Sequence, residues 1–283
     1  MDSITIFNAY NQTKKRLEAA GIEDFGFEAR EIIRHITGFD NKKIMLNYNT
    51  SLTDIQQKRL DEIVSARATG YPLQYILGTW SFYGLSFKVG KGVLIPRADT
   101  EIAVDTALEL IKEKQKPKVL DLCAGSGAIG ISIAVNRPEA KVTMLEKYDS
   151  ALFYLKENII LNNANNASYL KGDVLTGDGS GDKYDLIISN PPYIKEKDMR
   201  ALQIEVKAEP VEALCGGEDG LDFYRAIAKN YKSSLTSGGS LCFEVGFDEA
   251  ESVEEILKKA GFSGITVKKD LSGTDRVVFG TVN

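Results

Sequence analysis

The 283-residue sequence contains one histidine, His35. A histidine-based catalytic triad or a multi-histidine metal site needs more imidazoles than that, so both are excluded. His35 falls in the helical pattern "AREIIRHITG", which ends at Gly38, and reads as a structural or surface residue. Cysteine is nearly as sparse. Cys123, Cys215 and Cys242 are far apart and odd in number, which fits neither a disulfide framework nor a zinc site and suits a reducing, cytoplasmic setting. No metal is expected. No apolar run approaches the ~20 residues of a membrane span. The first residues, "MDSITIFNAYNQTKKR", lack a basic segment followed by an apolar one, so no secretory signal is expected. A basic excess is missing too. The net charge is -5, with ten Lys/Arg against ten Asp/Glu in residues 1–78 and 25 against 30 in the remainder. A nonspecific nucleic-acid binder shows a basic surplus somewhere, so neither nucleic acid nor membrane is an expected partner. At 43% hydrophobic and 27% charged, the composition is that of a soluble globular protein.

Periodicity divides the chain. Residues 1–75 read as a small helical bundle. "IFNAYNQTKKRLEAAG" puts Ile6, Ala9, Tyr10 and Leu17 near one face, and "FEAREIIRHITG" does the same with Ala29, Ile32, Ile33 and Ile36. "SLTDIQQKRLDEIVSARATG" offers Thr53 as N-cap and Ile63 and Val64 as core. From Tyr71 to Arg97 the chain is aromatic, β-branched and punctuated by glycine, and reads as hairpins; residues 76–96 are expected to form a packed joint. Over 97–283 helices and strands alternate, with strands at "KVLDL", "KVTMLE", "ASYLKGD", "YDLIIS" and "SLCFEVG" and a final two-stranded segment. That pattern predicts an α/β, Rossmann-like domain: a parallel sheet with helices on both faces and an antiparallel edge. The loop "TGDGSGDK", 176–183, is expected to be solvated and mobile.

"VLDLCAGSGAIG" follows a strand, opens a helix and contains Gly125-x-Gly127-x-x-Gly130, a dinucleotide-type spacing. It closes the first strand of the alternating half, where open α/β sheets bind ligands. Asp121 stands just before the loop. A carboxylate there repels a pyrophosphate and suits an ammonium or sulfonium. Glu146 ends the next strand, nineteen residues after Gly127, where an acid can accept both hydroxyls of a ribose. Asp173 ends the third and could meet an adenine amino group. The ordered set favours S-adenosylmethionine over NAD.

"YDLIISNPPYI" then ends a buried strand in Asn190-Pro191-Pro192-Tyr193. Proline removes ladder donors, so the strand must stop there. An amide nitrogen is a poor nucleophile because its lone pair is delocalised, and an aromatic amine shares the defect. An enzyme that methylates such a nitrogen must hold both N–H groups and aim the lone pair. The side-chain oxygen of Asn190 can accept one N–H and the carbonyl of Pro191 the other, in a direction the prolines fix. Tyr193 can stack on a flat group. The motif reads as a two-acceptor clamp for a planar NH2, with catalysis by positioning and electrostatics.

With "PLQYILG", "GVLIPRADTE", "DLCAGSGAIGISIA", "YDLIISNPPYI", "EPVEALCGGEDGLDFYRAI" and "DLSGTDRVV" in order over nearly the whole chain, the sequence resembles the bacterial release-factor glutamine methyltransferases. The "NPPY" motif alone is shared with adenine-amino methyltransferases; "IPRADTE" and the helical N-terminal part are more specific. The resemblance implies a helical substrate-docking domain, a β-hairpin joint and a seven-stranded methyltransferase domain. It implies transfer of a methyl group from S-adenosylmethionine to the glutamine of a Gly-Gly-Gln motif in release factors, by a monomer. It also implies site roles. Cys123, Ala124, Gly125, Ser126 and Gly127 would wrap the methionine part of the cofactor, beside Asp121. Glu146 would bind ribose, and Asp173 and Val174 would flank adenine. Arg97, Thr100 and Glu101 would line or brace the pocket. Asn190, Pro191, Pro192 and Tyr193 would hold the glutamine, with Asn190 also near the cofactor. Four positions depart from the family pattern: Cys123 replaces glycine, Ala98 proline, Glu146 aspartate and Val174 tryptophan. The rival readings are a ribosomal-protein glutamine methyltransferase, an adenine-amino nucleic-acid methyltransferase and a non-catalytic binding protein.

Overall fold

The computed structural model describes residues 4–179 and 181–283. Ser180, within the loop expected to be solvated, lies outside them, as do the first three residues of the expected helical domain. The chain forms two compact units, one of residues 1–78 with 203–208 and the other of 79–202 with 209–283.

The first unit carries α1 (Ile6–Ala19), α2 (Phe25–Thr37), α3 (Asn41–Leu46), α4 (Asp54–Arg67) and α5 (Leu73–Leu77). The expected apolar faces form its core: Ile6, Ala9, Leu17, Ala29, Ile32, Ile33, Ile63 and Val64 are all buried. Thr53 caps α4 in a reciprocal box with Gln56, which satisfies two of the N–H groups a helix start leaves open. The structure corrects the reading of Tyr71–Arg97 as hairpins. Leu73–Leu77 is a short helix stopped by Gly78 in a left-handed conformation, and only 79–88 forms a hairpin.

The second unit begins with that hairpin, β1 (Thr79–Phe82) and β2 (Leu85–Lys88). Then follow α6 (Glu101–Leu110), β3 (Lys118–Leu122), α7 (Ala128–Asn136), β4 (Lys141–Glu146), α8 (Asp149–Leu161), β5 (Ala167–Lys171) and β6 (Tyr184–Ser189). The chain then leaves for α9 (Ile204–Lys207), counted with the first unit, and returns for α10 (Asp222–Asn230), β7 (Leu235–Glu244), α11 (Ala250–Lys259), β8 (Ser263–Lys269) and β9 (Asp275–Thr281). Within the first unit, Arg67 is buried and reaches two carboxylates, Glu28 at 2.6 Å and Glu205 at 3.0 Å.

Strands β3 to β9 make one sheet in the order β5-β4-β3-β6-β7-β9-β8. All neighbours from β5 to β7 are parallel, and β9 is antiparallel to both β7 and β8. The central strands are buried on both faces and therefore read as continuous apolar runs. The order reverses between β3 and β6. Each leaves the sheet at its carboxyl end beside the other, the switch point where open sheets hold ligands. Asn158 of α8, wholly buried, bonds both main-chain groups of Lys88 and the carbonyl of Ser126, and so ties the hairpin to the loop after β3. No described helix is long and apolar enough to cross a membrane.

Candidate active site

At the end of β3 the chain turns left-handed at alternate residues: Cys123 (φ 57°), Gly125 (56°) and Gly127 (82°). Gly127 opens α7. The loop cradles two acids. Asp121 is buried, its Oδ2 accepts the Gly130 N–H at 2.9 Å, and its Oδ1 has no partner. Burial pushes the Asp121 carboxyl up to about 8, with Glu146 adding to the shift. Glu146, at the end of β4, accepts N–H groups from Gly125 (2.9 Å), Lys147 (2.7 Å) and Tyr148 (2.8 Å). Burial raises its carboxyl, and these bonds work against the rise. Asp173 follows β5. Burial would raise its pKa, but the Lys147 ammonium at 2.8 Å and the Leu175 N–H hold it below the ordinary value. Asp173 is therefore already engaged, and its backbone N–H is bonded to Asp178.

The other wall is built where β6 ends beside β7. Ser189 donates to the Leu122 carbonyl at 2.8 Å and locks the end of β6 to that of β3. Asn190 turns its Nδ2 toward Thr100 Oγ1, at a long 3.4 Å. The segment after it lies on a bed of glycines. A Cβ on Gly216 would stand 2.7 Å from the Pro192 carbonyl oxygen, and one on Gly220 would stand 2.4 Å from that of Tyr193. Only glycine permits the approach. Ile194 completes the seat by exchanging backbone bonds with Leu214 and Gly216. Arg97 pairs with the buried Glu209, which also accepts the Ile95 N–H at 2.9 Å, so the "IPR" segment is fixed from inside.

One cleft collects most of the expected residues. Arg97, Thr100, Asp121, Cys123, Ala124, Gly125 and Ser126 line it, and so do Glu146, Asp173, Val174, Asn190 and Pro192. Three do not. Gly127 sits behind, against Ile131 and Met144. Pro191 is buried. Tyr193 is half-buried against the core cluster, and burial, with Glu244 nearby, pushes its phenol up to about 12. Glu101 accepts the Tyr83 N–H and braces the hairpin, outside the lining. Sequence reasoning missed Lys147, Tyr148, Leu175, Glu212 and Phe223, which also line the cleft, and Glu209 and Glu244 behind it. The first group flanks motifs already in view; the two glutamates belong to no local pattern. Among the described residues there is no cluster that could hold a metal ion.

Residues 8–78 match the family model of the PrmC N-terminal domain, and 96–214 match the methyltransferase small domain. Two solved structures share the fold at low identity. A methyltransferase from Pyrococcus furiosus is 19% identical with a TM-score of 0.52, over 81% of this chain and 98% of that one. A T. thermophilus 16S rRNA methyltransferase in complex with AdoMet and guanosine is 19% identical with a TM-score of 0.51, over 72% of this chain and 50% of that one. Curated relatives are far nearer. The release factor glutamine methyltransferase of Clostridium botulinum is 39% identical over 93% of this chain and 94% of its own. That of Thermodesulfovibrio yellowstonii is 40% identical over 89% and 90%, and that of Caulobacter vibrioides 36% identical over 99% and 98%. With identity of this order running through both units, the chain belongs to the release factor glutamine methyltransferase family.

Proposed function

We propose that the protein transfers a methyl group from S-adenosylmethionine to the side-chain amide nitrogen of the glutamine in the Gly-Gly-Gln motif of peptide chain release factors. The observation that carries this reading is the Asn190–Tyr193 turn: it leaves the sheet at the switch point, seated on glycines, with Asn190 and Pro192 lining a cleft walled on its other side by carboxylates.

The residues present fit the co-substrate. Asp121 presents a buried oxygen with no donor, the place for a cationic or N–H-bearing group. An ionised carboxylate offers about four acceptor sites. Glu146 spends three of them on backbone N–H groups, which hold the side chain still and leave capacity for a ribose hydroxyl. Leu145, Val174 and Leu175 supply apolar surface for a base. When bound, S-adenosylmethionine supplies a methyl group made electrophilic by its sulfonium.

The chain's own task is to hold the amide. Asn190 Oδ1 accepts one N–H and the Pro191 carbonyl the other, so the lone pair has one direction left to face. Tyr193 would flank the flat group from its half-buried place against the core cluster. None of these groups needs to take a proton for the geometry to work, in keeping with the absence of histidine here; the N–H proton passes to water after transfer. Acceptors fixed before the substrate arrives need no reorganisation in the transition state, where such bonds are worth most.

Incubation with labelled S-adenosylmethionine and, in separate reactions, a release factor, a ribosomal protein and DNA tests the reading. Label is expected on the glutamine of the release factor. Label on DNA or on the ribosomal protein with none on the release factor would reverse it.

A further inference from the structure

The clamp demands that Asn190 present oxygen, not nitrogen, to the substrate. A side-chain amide is nearly symmetric in shape, so something must choose between its two orientations. The main chain does not: no backbone carbonyl bonds to Asn190 Nδ2 among the described residues, and its partner there is the hydroxyl of Thr100 at 3.4 Å. Behind both lies Glu244. The register of β6 with β7 pairs Ser189 with Phe243, which places Asn190 and Glu244 next to each other at the two strand ends. Glu244 is 2% exposed, and its Oε2 has no hydrogen-bond partner. Its main-chain carbonyl accepts the buried Tyr224 hydroxyl at 3.0 Å, so the residue cannot drift. Burial raises the Glu244 carboxyl to about 7; the Thr100 hydroxyl, Arg276 and the Asn190 amide pull it down, and Asp99 pushes it up. The register therefore sets Asn190 beside this carboxyl while its Nδ2 meets the Thr100 hydroxyl, and an amide can face a carboxylate only with its NH2 end.

We propose that Glu244 is a positioning residue of the transfer reaction: together with Thr100 its buried carboxylate holds the Asn190 amide with Nδ2 turned inward, which commits Oδ1 to the cleft and to the substrate amide. The proposal rests on the function proposed above. Glu244 does not touch the substrate. It sets the sign of the group that does, a task it shares with Thr100. Once ionised, above about pH 7, this carboxyl only accepts and so cannot stabilise the flipped amide.

A charge-exchange cycle tests this, with wild-type transfer of label to a release factor as the control for the function itself. Asn190→Asp sets two carboxyls against each other and is expected to lower kcat by about 100-fold or more. Glu244→Gln introduces an NH2 that can bond a flipped Asn190 and is expected to lower kcat about 10-fold, with KM for the release factor, calorimetric affinity for S-adenosylhomocysteine and melting temperature nearly unchanged. In the double variant the amide introduced at position 244 donates to the carboxylate introduced at position 190, whose outer oxygen again faces the substrate; kcat is expected to recover about 10-fold over Asn190→Asp alone. A packing role for Glu244 predicts additive losses instead. A double variant no better than Asn190→Asp, or a Glu244→Gln enzyme at wild-type kcat, overturns the proposal, whereas a wild-type enzyme inert toward release factors overturns the function. If the Glu244 variants do not fold, the wild type still answers. Its Asn190 side-chain amide protons, assigned by their loss in Asn190→Asp, are expected to exchange about 10-fold more slowly than those of the exposed Asn165, and equal rates would overturn the proposal.

Discussion

The two walls of the cleft solve one problem by opposite means. Each contains a buried carboxyl with one oxygen left unpartnered, Asp121 on the β3–β4 side and Glu244 on the β6–β7 side. On the first side the acids are held by their own main chain. Gly130, Gly125, Lys147 and Tyr148 donate from within nine or twenty-one residues, and the outcome is a fixed acidic lining. On the second side the Asn190 side chain meets another side chain, the Thr100 hydroxyl 90 residues away in the sequence, and the outcome proposed above is a fixed orientation. In the function proposed above, one wall would sort ligands by charge and the other by where their N–H groups point. Damage to the first should therefore read out in binding, and damage to the second in turnover.

The largest effect expected is that of Asn190→Ala. Loss of a preorganised acceptor costs about 100- to 1,000-fold in kcat, while affinity for S-adenosylhomocysteine, measured by calorimetry, should change by no more than about threefold. Equal losses in both would erase the distinction between the walls. Gly216→Ala comes next. Its Cβ would meet the Pro192 carbonyl oxygen at 2.7 Å and the Tyr193 Cα at 2.7 Å, both main-chain atoms with no room to yield. A stability cost of about 1–3 kcal/mol in urea unfolding is expected, with kcat falling and cofactor affinity retained.

Asp121→Asn probes the other wall. Calorimetry should show a fall in S-adenosylmethionine affinity, with kcat at saturation falling less. The same variant tests a pH effect. The Asp121 carboxyl is raised to about 8 when folded and lies near 4 when unfolded, so the folded state holds the extra proton between these values. Stability of the free protein should thus fall as pH rises from about 4 to about 8. Glu244 and Glu249, each raised to about 7, contribute in the same direction up to that pH. Urea midpoints at pH 5, 6.5 and 8 should decline in the wild type and decline less in Asp121→Asn. The smallest effect is expected from Cys123→Gly. Cys123 holds a positive φ of 57°, which a Cβ disfavours by about 1 kcal/mol, so glycine should raise the melting temperature slightly and leave binding in place.

This contrast also explains what could be read from the sequence. The β3–β4 wall is local: a strand, a glycine loop and an acid at the next strand end occur in order, and Asp121, Gly125 and Glu146 could be named from spacing alone. The end of β6 at Asn190–Tyr193 was equally legible, because proline removes ladder donors, while the clamp reading leaned on the glycine loop as well. Glu244 was not. In "SLCFEVG" it is one polar residue at the end of a strand, and only the parallel register with β6 reveals its neighbour. Glu209 was hidden for the same reason, since its partner Arg97 lies 112 residues away. The glycines of "CGGEDG" were visible as residues, but what they make room for belongs to another segment. Among the elements, the alternating strands and helices of the second unit follow their periodicity closely. The short α5 does not, because "LQYIL" is aromatic and β-branched and takes its helical form between Pro72 and the left-handed Gly78.

The six-residue excursion at 203–208 has a consequence for how the molecule can be divided. A cut after residue 78 looks like a natural seam, yet it would not separate two self-sufficient modules. The helical fragment would lose Glu205, one of the two carboxylates that neutralise the buried Arg67, and the other fragment would carry that segment away from its partners. Three covalent crossings, not one, join the units. Any fragment meant to isolate the helical unit, or any chimaera that exchanges it, has to carry 203–208 along.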